Sequence, residues 1–263
     1  MDLKASTLDF SGQVIAVTGG TRGVGSGIAR AFLEAGAEVV VCGRKVPDKD
    51  ALPTGGKKRA VFVAADVREP DGAALTVATA TERFGRLDVL VNNAGGAPVA
   101  DAATVSPRFF SSVVALNLLA PFYCAQAANA VMQDQSSGGC IINIGSVSGT
   151  RPSPGAAAYG AAKAGLANLT RTLAMEWAPK VRVNGVVAGL LATEAADDHY
   201  GGPDGVARVA ETVPLRRMGS PEDIAGICVF LASPLAAYVS GANILADGGG
   251  EWPTYLSAVR GVT

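Results

Sequence analysis

The sequence predicts an α/β fold, a doubly wound parallel sheet of about seven strands with helices on both faces. Short runs rich in β-branched residues alternate with longer Ala-rich stretches of helical spacing along the 263 residues. The short runs are apolar throughout, which is typical of strands covered on both faces. Hydrophobic residues make up 49% of the chain and charged residues only 17%, so a large core can form.

The alternation places each element in turn. Strands are predicted at 14–18, 38–42, 60–65, 89–91, 140–144, 181–187 and 243–246. Helices are predicted at 24–35, 72–84, 104–132, 157–178 and 221–232. No Pro/Ser-rich linker and no fixed-period repeat interrupts this order, so we expect one domain over residues 1–263. Residues 190–220, which include Pro203 and Pro214, break the pattern and predict a mobile insertion over the substrate.

Composition excludes several kinds of site and partner. Lys and Arg total 22 against 23 Asp and Glu without long blocks of either sign, so we expect no nucleic-acid and no membrane partner. The N-terminus lacks a secretory pattern and no run of about 18 apolar residues occurs, which favours a cytoplasmic protein. Four scattered cysteines predict buried thiols, and the single His199, expected at the surface, argues against a metal site or a Ser-His-Asp triad.

A glycine-rich stretch follows the first predicted strand and opens the first helix. It reads Thr18-Gly19-Gly20-Thr21-Arg22-Gly23-Val24-Gly25. Glycines at these positions allow a tight turn, and the amides of the helix N-terminus can then bind a pyrophosphate. The order of strand, glycines, helix and second strand favours a Rossmann-like NAD(P)-binding unit over a turn that binds nothing.

Arg44 bears on which dinucleotide is used. It stands 19 residues after Gly25, where an acidic residue would accept from the 2′-hydroxyl of NAD and an Arg would suit the 2′-phosphate of NADP. Arg22 could add a second guanidinium. The sequence therefore favours NADP(H), with NAD(H) possible, and the alternative is that Arg44 and Lys45 are only solvated charges after a strand.

Tyr159 and Lys163 are four residues apart in a predicted helix and so share one face. A nearby ammonium favours the phenolate of a tyrosine, which makes such a pair suitable for general acid/base chemistry. Ser146 comes just after an apolar strand, at the sheet edge where open α/β folds bind ligands. A helix-surface pair without function is the alternative, and the glycine-rich stretch together with Ser146 weighs against it.

These motifs together resemble the classical short-chain dehydrogenase/reductase family, most closely its 3-oxoacyl carrier-protein reductase type. The resemblance spans essentially the whole chain. Its further matches are Asp66-Val67, Asn92-Asn93-Ala94-Gly95, Asn117, residues 217–225 and Asp247-Gly248-Gly249.

The resemblance implies a role for each matching residue. Tyr159 would donate the proton in reduction, Lys163 would tune it and hold the nicotinamide ribose, Ser146 would bind the carbonyl, and Asn117 would hold a water in the proton relay. The implied cofactor-binding residues are Gly19, Thr21, Arg22, Gly23, Val24, Gly25, Arg44, Asp66, Val67, Asn92, Tyr159, Lys163, Leu191 and Thr193. Asp66 would bind the adenine, Asn92 would approach the adenosine ribose through its backbone, and Leu191 and Thr193 would meet the carboxamide. Ala188 replaces a proline usual in the family, which predicts a looser loop on the nicotinamide side.

The leading hypothesis is an NADP(H)-dependent carbonyl reductase or alcohol dehydrogenase. The alternatives are an NAD-dependent dehydrogenase of a hydroxylated lipid, steroid or sugar and a non-catalytic, cofactor-sensing regulator. Residues 96–98, 147–154 and 190–220 are mostly small or apolar, so a largely apolar substrate is expected. The resemblance also implies a homotetramer, assembled through the helices at 104–132 and 157–178 and the last strand.

Overall fold

The computed structural model describes residues 8–194, 196, 200–253, 255–256 and 259. Within them a seven-stranded, all-parallel sheet forms the centre of the molecule. Its strands are β1 (Val14–Thr18), β2 (Glu38–Gly43), β3 (Val61–Ala64), β4 (Val89–Asn92), β5 (Gly139–Ser146), β6 (Val181–Ala188) and β7 (Asn243–Ala246). They lie side by side in the order β3-β2-β1-β4-β5-β6-β7. The predicted fold class is thereby confirmed.

Helices cover both faces of the sheet. They are α1 (Gly23–Glu34), α2 (Pro70–Phe84), α3 (Pro107–Val114), α4 (Ala120–Asp134), α5 (Ala157–Glu176), α6 (Gly202–Thr212) and α7 (Pro221–Ala232). Alternate residues of β1 supply both cores. Ile15 and Val17 pack with α1 and α7, whereas Val14 and Ala16 pack with α2, α4 and α5. This double burial explains why the strands are apolar at every position.

The helix predicted at 104–132 is divided in the structure. Ser106 caps α3 by accepting a hydrogen bond from the N–H of Phe109 (3.1 Å). A π turn, Ala115–Leu119, then separates α3 from α4. Pro121 has no N–H to donate to the carbonyl four residues earlier, that of Asn117, and its ring crowds that carbonyl, so the helix widens here. The N–H of Ala120 bonds to the carbonyl of Ala115, five residues back.

A short antiparallel hairpin, Thr54–Gly55 with Lys58–Arg59, was not among the predicted strands. Each arm has two residues, too few for a recognisable hydrophobic period. The 28-residue helical stretch Pro107–Asp134 is long and apolar enough to cross a membrane by length and composition alone. Its α4 part packs Cys124, Ala128 and Met132 against the sheet, as the core helix of a globular domain does.

Candidate active site

The glycine-rich stretch and the segment after β4 meet at the carboxyl edge of the sheet. β1 pairs with β2 on one side and with β4 on the other. Successive strands are therefore added in one direction from β1 to β3 and in the opposite direction from β4 to β7. Open α/β sheets bind ligands in the crevice formed there. The elements that flank the crevice decide which ligand it can hold.

The N-terminus of α1 is open at this crevice. Arg22 is its N-cap and makes no capping hydrogen bond through its side chain, and the first turn carries no acidic residue. The first N–H groups of the helix therefore lack a side-chain acceptor and attract an anion. A Cβ on Gly25 would lie 2.4 Å from the carbonyl oxygen of Gly19, so only glycine permits the loop to fold back this closely. This cradle fits the pyrophosphate of a dinucleotide.

Thr18 and Asn93 hold the glycine loop in place. The Thr18 hydroxyl accepts from the N–H groups of Asn93 (3.0 Å) and Ala94 (2.9 Å). The Asn93 amide donates to the carbonyls of Thr18 (2.9 Å) and Gly19 (3.2 Å). Sequence reasoning gave neither residue a role. Thr18 ends β1 and Asn93 follows β4, and these two strands are neighbours in the sheet. Their positions in two sequence motifs could therefore have predicted a contact between them.

Arg44 lies at the opposite end of the crevice, exposed just after β2. The Asp66 carboxylate accepts from its neighbour Arg68, at 2.9 Å from Nε and 2.5 Å from Nη2. That hydrogen bond, aided by the charges of Arg68 and Arg44, holds the pKa of Asp66 below its usual value against the effect of burial. Arg44 and Asp66 are thus close neighbours, as a shared adenosine site requires. The Val67 side chain is buried in the core, so an adenine contact at that position would use its backbone.

The Asn92 side chain is buried beneath the crevice. Its amide donates to the carbonyl of Pro121 (3.1 Å) and to Asn143 Oδ1 (2.9 Å). Asn143 in turn donates to the hydroxyl of Thr170 (2.9 Å). Asn92 therefore joins β4 to α4 and β5, and the ribose contact through its backbone stays a prediction.

Ser146, Tyr159 and Lys163 come together at the ends of β5 and α5. The Ser146 hydroxyl lies within reach of the Tyr159 phenol. The Lys163 Nζ lies 5.6 Å from the centroid of the Tyr159 ring and donates to the carbonyl of Ile144 (2.7 Å). Lys163 is only 4% exposed. One helical turn thus places a buried ammonium beside the phenol, as the spacing predicts.

Burial shifts the pKa of both groups. It lowers the pKa of Lys163 to about 8, because the ammonium is poorly solvated. It raises the pKa of Tyr159, and the hydrogen bond with Ser146 partly opposes that shift. The phenol is therefore protonated at neutral pH and can donate its proton, while the ammonium loses its proton near pH 8.

Asn117 occupies the π turn and is fully buried. Its amide donates to the carbonyls of Gly96 (3.0 Å) and Val113 (2.9 Å), and its Oδ1 accepts from the N–H of Gly96 (2.9 Å). A Cβ on Gly95 would lie 2.8 Å from Asn117 Oδ1 and 3.3 Å from Lys163 Nζ, so the four predicted catalytic residues share one site. The side chain of Asn117 positions the loop at Gly96, and its role with a water stays a prediction.

The chain after β6 is fixed by backbone hydrogen bonds. Ala188 is the last residue of β6 and pairs with Ser146 and Ala246. Leu191 bridges to Gly219, the N–H of Ala192 donates to the carbonyl of Gly219 (2.8 Å), and that of Gly219 donates to Leu190 (2.9 Å). These bonds restrain the segment although Ala188 replaces proline.

Thr193 extends from this segment over the glycine loop. Its Cγ2 lies 3.8 Å from the point where a Cβ on Gly23 would be, and its contact with the carboxamide stays a prediction. His199 lies outside the described residues. Among those described, no group of three or more His, Cys, Asp or Glu side chains could hold a metal ion.

Two cavities flank the reacting groups. One of about 150 Å³ lies where β5, β6 and β7 end and is lined by Val147, Leu190, Arg151, Asp247 and Glu251 among others. The other, about 60 Å³, touches Tyr159 and is lined by Ala97, Pro98, Val105, Phe109 and Val113 among others. The smaller cavity has a small or apolar lining, and the larger one combines small and apolar residues with the charged Arg151, Asp247 and Glu251. Glu251 and Asp247 lie far along the chain from the segments that the prediction considered.

Comparison with known proteins decides the family. Residues 19–251 match the family model described as enoyl-(acyl carrier protein) reductase, which covers most of the chain. The chain belongs to the short-chain dehydrogenase/reductase family. Like other members of this family it is an oxidoreductase, and the family uses NAD(P)(H).

Relatives within the short-chain dehydrogenase/reductase family differ in substrate. The chain is 38% identical over 248 residues to a 3-oxoacyl-[acyl-carrier-protein] reductase of Synechocystis, covering 91% of this chain and 97% of that protein. It is 35% identical over 247 residues to an L-rhamnose 1-dehydrogenase (NAD(P)(+)) of Azotobacter vinelandii, covering 90% and 96%. A short-chain type dehydrogenase/reductase from Mycobacterium marinum has a similar structure, with a TM-score of 0.85, 34% identity and 94% and 99% coverage.

Proposed function

We propose that this protein is an NADP(H)-dependent oxidoreductase that interconverts a carbonyl and a secondary alcohol, with Tyr159 as the general acid/base. The observation that carries the proposal is the placement of the Tyr159 phenol beside the buried ammonium of Lys163, with the Ser146 hydroxyl within reach. Bound nicotinamide would give or take the hydride. Oxidation of the alcohol by NADP⁺ yields the carbonyl, NADPH and a proton, and reduction is the reverse reaction.

The protein supplies proton transfer and charge stabilisation. In reduction, the hydroxyls of Ser146 and Tyr159 can both donate to the carbonyl oxygen as it becomes negative. Tyr159 then gives up its proton to that oxygen and becomes a phenolate. The ammonium of Lys163 lowers the free energy of this phenolate, and Asn117 holds the adjoining loop at Gly96. In oxidation the phenolate accepts the proton from the alcohol.

Turnover of a panel of ketones with NADPH, and of alcohols with NADP⁺, tests this proposal. We expect nucleotide-dependent conversion of at least one compound. A protein that binds the nucleotide yet converts none of them would be the cofactor-sensing regulator instead.

The proposed preference for NADP(H) is supported by Arg44, which is exposed beside Asp66 at the adenosine end of the crevice. We expect Arg44→Ala to weaken NADPH binding by about tenfold, the value of one exposed charge-assisted contact, and to leave NADH binding within about twofold. Fluorescence titration with each nucleotide measures both effects. Arg83→Ala, which removes an exposed arginine from α2, is the control. Equal losses for NADPH and NADH, or tighter binding of NADH by the wild type, would contradict the preference.

The pKa of Lys163 predicts how activity depends on pH. In the free enzyme burial lowers this pKa to about 8, so Lys163 is charged below that pH and neutral above it. We expect kcat/KM for NADPH to be level below pH 8 and to fall about tenfold per unit above it, since kcat/KM reports the free enzyme. In Lys163→Arg the guanidinium stays charged, and the fall should move above pH 10 in the residual activity.

The titration of Lys163 does not destabilise the fold over the pH range in which kcat/KM falls. The folded state binds fewer protons at Lys163 than the unfolded state between pH 8 and 10.5, so this group makes the free energy of unfolding rise with pH over that window. A thermal melt at each pH separates the two effects. A fall that stays near pH 8 in Lys163→Arg would assign it to another group.

A further inference from the structure

The larger cavity, where β5, β6 and β7 end, is lined by both apolar and charged side chains. Val147, Leu190 and Leu245 are the apolar ones, and Arg151, Asp247 and Glu251 are the charged ones. Its volume of about 150 Å³ corresponds to about five water molecules at roughly 30 Å³ each. The space therefore suits a small molecule that can satisfy charged groups.

Arg151 and Glu251 are joined across this cavity. Arg151 donates from Nη2 to Glu251 Oε1 and from Nη1 to the hydroxyl of Ser153 (3.3 Å). The side chains are 39% and 32% exposed, so each keeps polar atoms available to a ligand. The two residues are 100 positions apart in the chain, and the contact forms only because β5 and β7 end at the same sheet edge.

Two strand ends connect this cavity to the reacting groups. Val147 directly follows Ser146, and Gly189 directly follows Ala188, the register partner of Ser146. Burial raises the pKa of Tyr200, and the charges of Glu251 and Tyr159 raise it further. The cavity therefore opens at the sheet edge that carries Ser146.

The charges at the cavity exclude two kinds of substrate. An acyl chain would remove water from Arg151, Glu251 and Asp247 without replacing their hydrogen bonds, which is unfavourable. An anion would face two carboxylates and a guanidinium that is already paired.

A neutral molecule with several hydroxyl groups fits what remains. Hydroxyls donate to carboxylates and accept from a guanidinium, so one polyol can bond with both members of the pair. We propose that the substrate is a small neutral polyhydroxylated compound, a sugar or polyol, whose hydroxyls are bound by Arg151 and Glu251 while Ser146 and Tyr159 engage its reacting oxygen. This inference rests on the proposed oxidoreductase function and names its substrate class.

Steady-state kinetics on the full-length enzyme test the inference. The probes are neutral pentoses, hexoses and their polyols, including xylitol and D-glucose, with NADP⁺; the anionic D-gluconate with NADP⁺; and acetoacetyl-CoA with NADPH. We expect kcat/KM for at least one neutral probe to exceed that for D-gluconate and acetoacetyl-CoA by tenfold or more. Preference for D-gluconate or for the thioester would overturn the substrate class.

Variants of Glu251 test the assignment of the pair. We expect Glu251→Ala to raise KM for the preferred neutral probe at least tenfold with kcat within threefold. Glu251→Gln keeps an oxygen acceptor, so its KM for the neutral probe should lie between those of the wild type and Glu251→Ala. Because it lacks the negative charge, its ratio of kcat/KM for the neutral probe to that for D-gluconate should be smaller than in the wild type. Glu82→Ala, at an exposed position on α2, is the matched control and should leave both constants unchanged. An unchanged KM in Glu251→Ala would overturn the assignment.

Failure of the inference and failure of the function give different results. One outcome is that the enzyme reduces acetoacetyl-CoA, that Tyr159→Phe abolishes this activity, and that no neutral probe is converted. This outcome would leave the oxidoreductase proposal intact and refute the polyol as substrate class. Absence of turnover for every probe, although NADPH binds, would remove both.

Discussion

Tyr159→Phe is expected to lower kcat by about 10²–10⁴-fold, the usual contribution of a positioned general acid, while NADPH still binds. Phenylalanine keeps the ring that packs beside Lys163 and removes only the hydroxyl that Ser146 bonds. The carbonyl oxygen would still receive a hydrogen bond from Ser146 but no proton. NADPH consumption with the best carbonyl substrate measures the loss, and a fluorescence titration shows whether the nucleotide is bound.

Tyr238→Phe is the matched control for this change. Tyr238 is fully exposed, so removal of its hydroxyl should leave kcat unchanged. Activity of Tyr159→Phe within tenfold of the wild type would refute its role as the acid. Loss of both activity and nucleotide binding would instead show that the hydroxyl serves the fold of the site.

Gly25→Ala is expected to weaken NADPH binding by about a hundredfold, since overpacking costs about 1–3 kcal/mol and a tenfold change about 1.4 kcal/mol. The added Cβ would lie 2.4 Å from both the Gly19 carbonyl oxygen and Asn93 Nδ2. These two atoms also form part of the contact between the glycine loop and the segment after β4. The added methyl group should therefore displace the glycine loop that would hold the pyrophosphate, and it should also lower the thermal stability of the protein.

Gly226→Ala makes the same chemical change in another helix. A Cβ on Gly226 would have nothing within 4 Å, and the residue is exposed on α7. Alanine in a helix interior is favoured over glycine by about 0.5–1 kcal/mol, so this variant should be as stable as the wild type or slightly more stable. Nucleotide titration and thermal melts compare the two variants. Equal NADPH affinity in both would mean that the loop at Gly25 does not bind the pyrophosphate.

Local sequence patterns were sufficient to predict the sheet. Each strand is an uninterrupted apolar run because both faces are buried, and the seven predicted runs match β1–β7 to within about two residues. The positions of Ser146, Tyr159 and Lys163 also follow from local spacing, since a strand end and one helical turn are short-range features. These parts of the site required no knowledge of distant contacts.

Other features depend on contacts between distant parts of the chain. The pairing of Arg151 with Glu251 joins residues that no local period relates, so the sequence pattern did not predict it. The π turn at Asn117 arises from the missing N–H of Pro121, which hydrophobic periodicity does not register. The homotetramer and the cytoplasmic location stay predictions from sequence.

The buried side chains of Asn92, Asn143 and Thr170 bear on how the sheet finds its alignment. Asn92 and Asn143 are register partners on β4 and β5, and Thr170 meets Asn143 from α5. A shift of β5 by one residue would turn Asn143 to the opposite face, and buried amides would then lose their partners. Purely apolar strands could slide past one another with little change in burial. These three polar groups therefore penalise misaligned pairing in the middle of the sheet, where the hydrophobic pattern alone discriminates least.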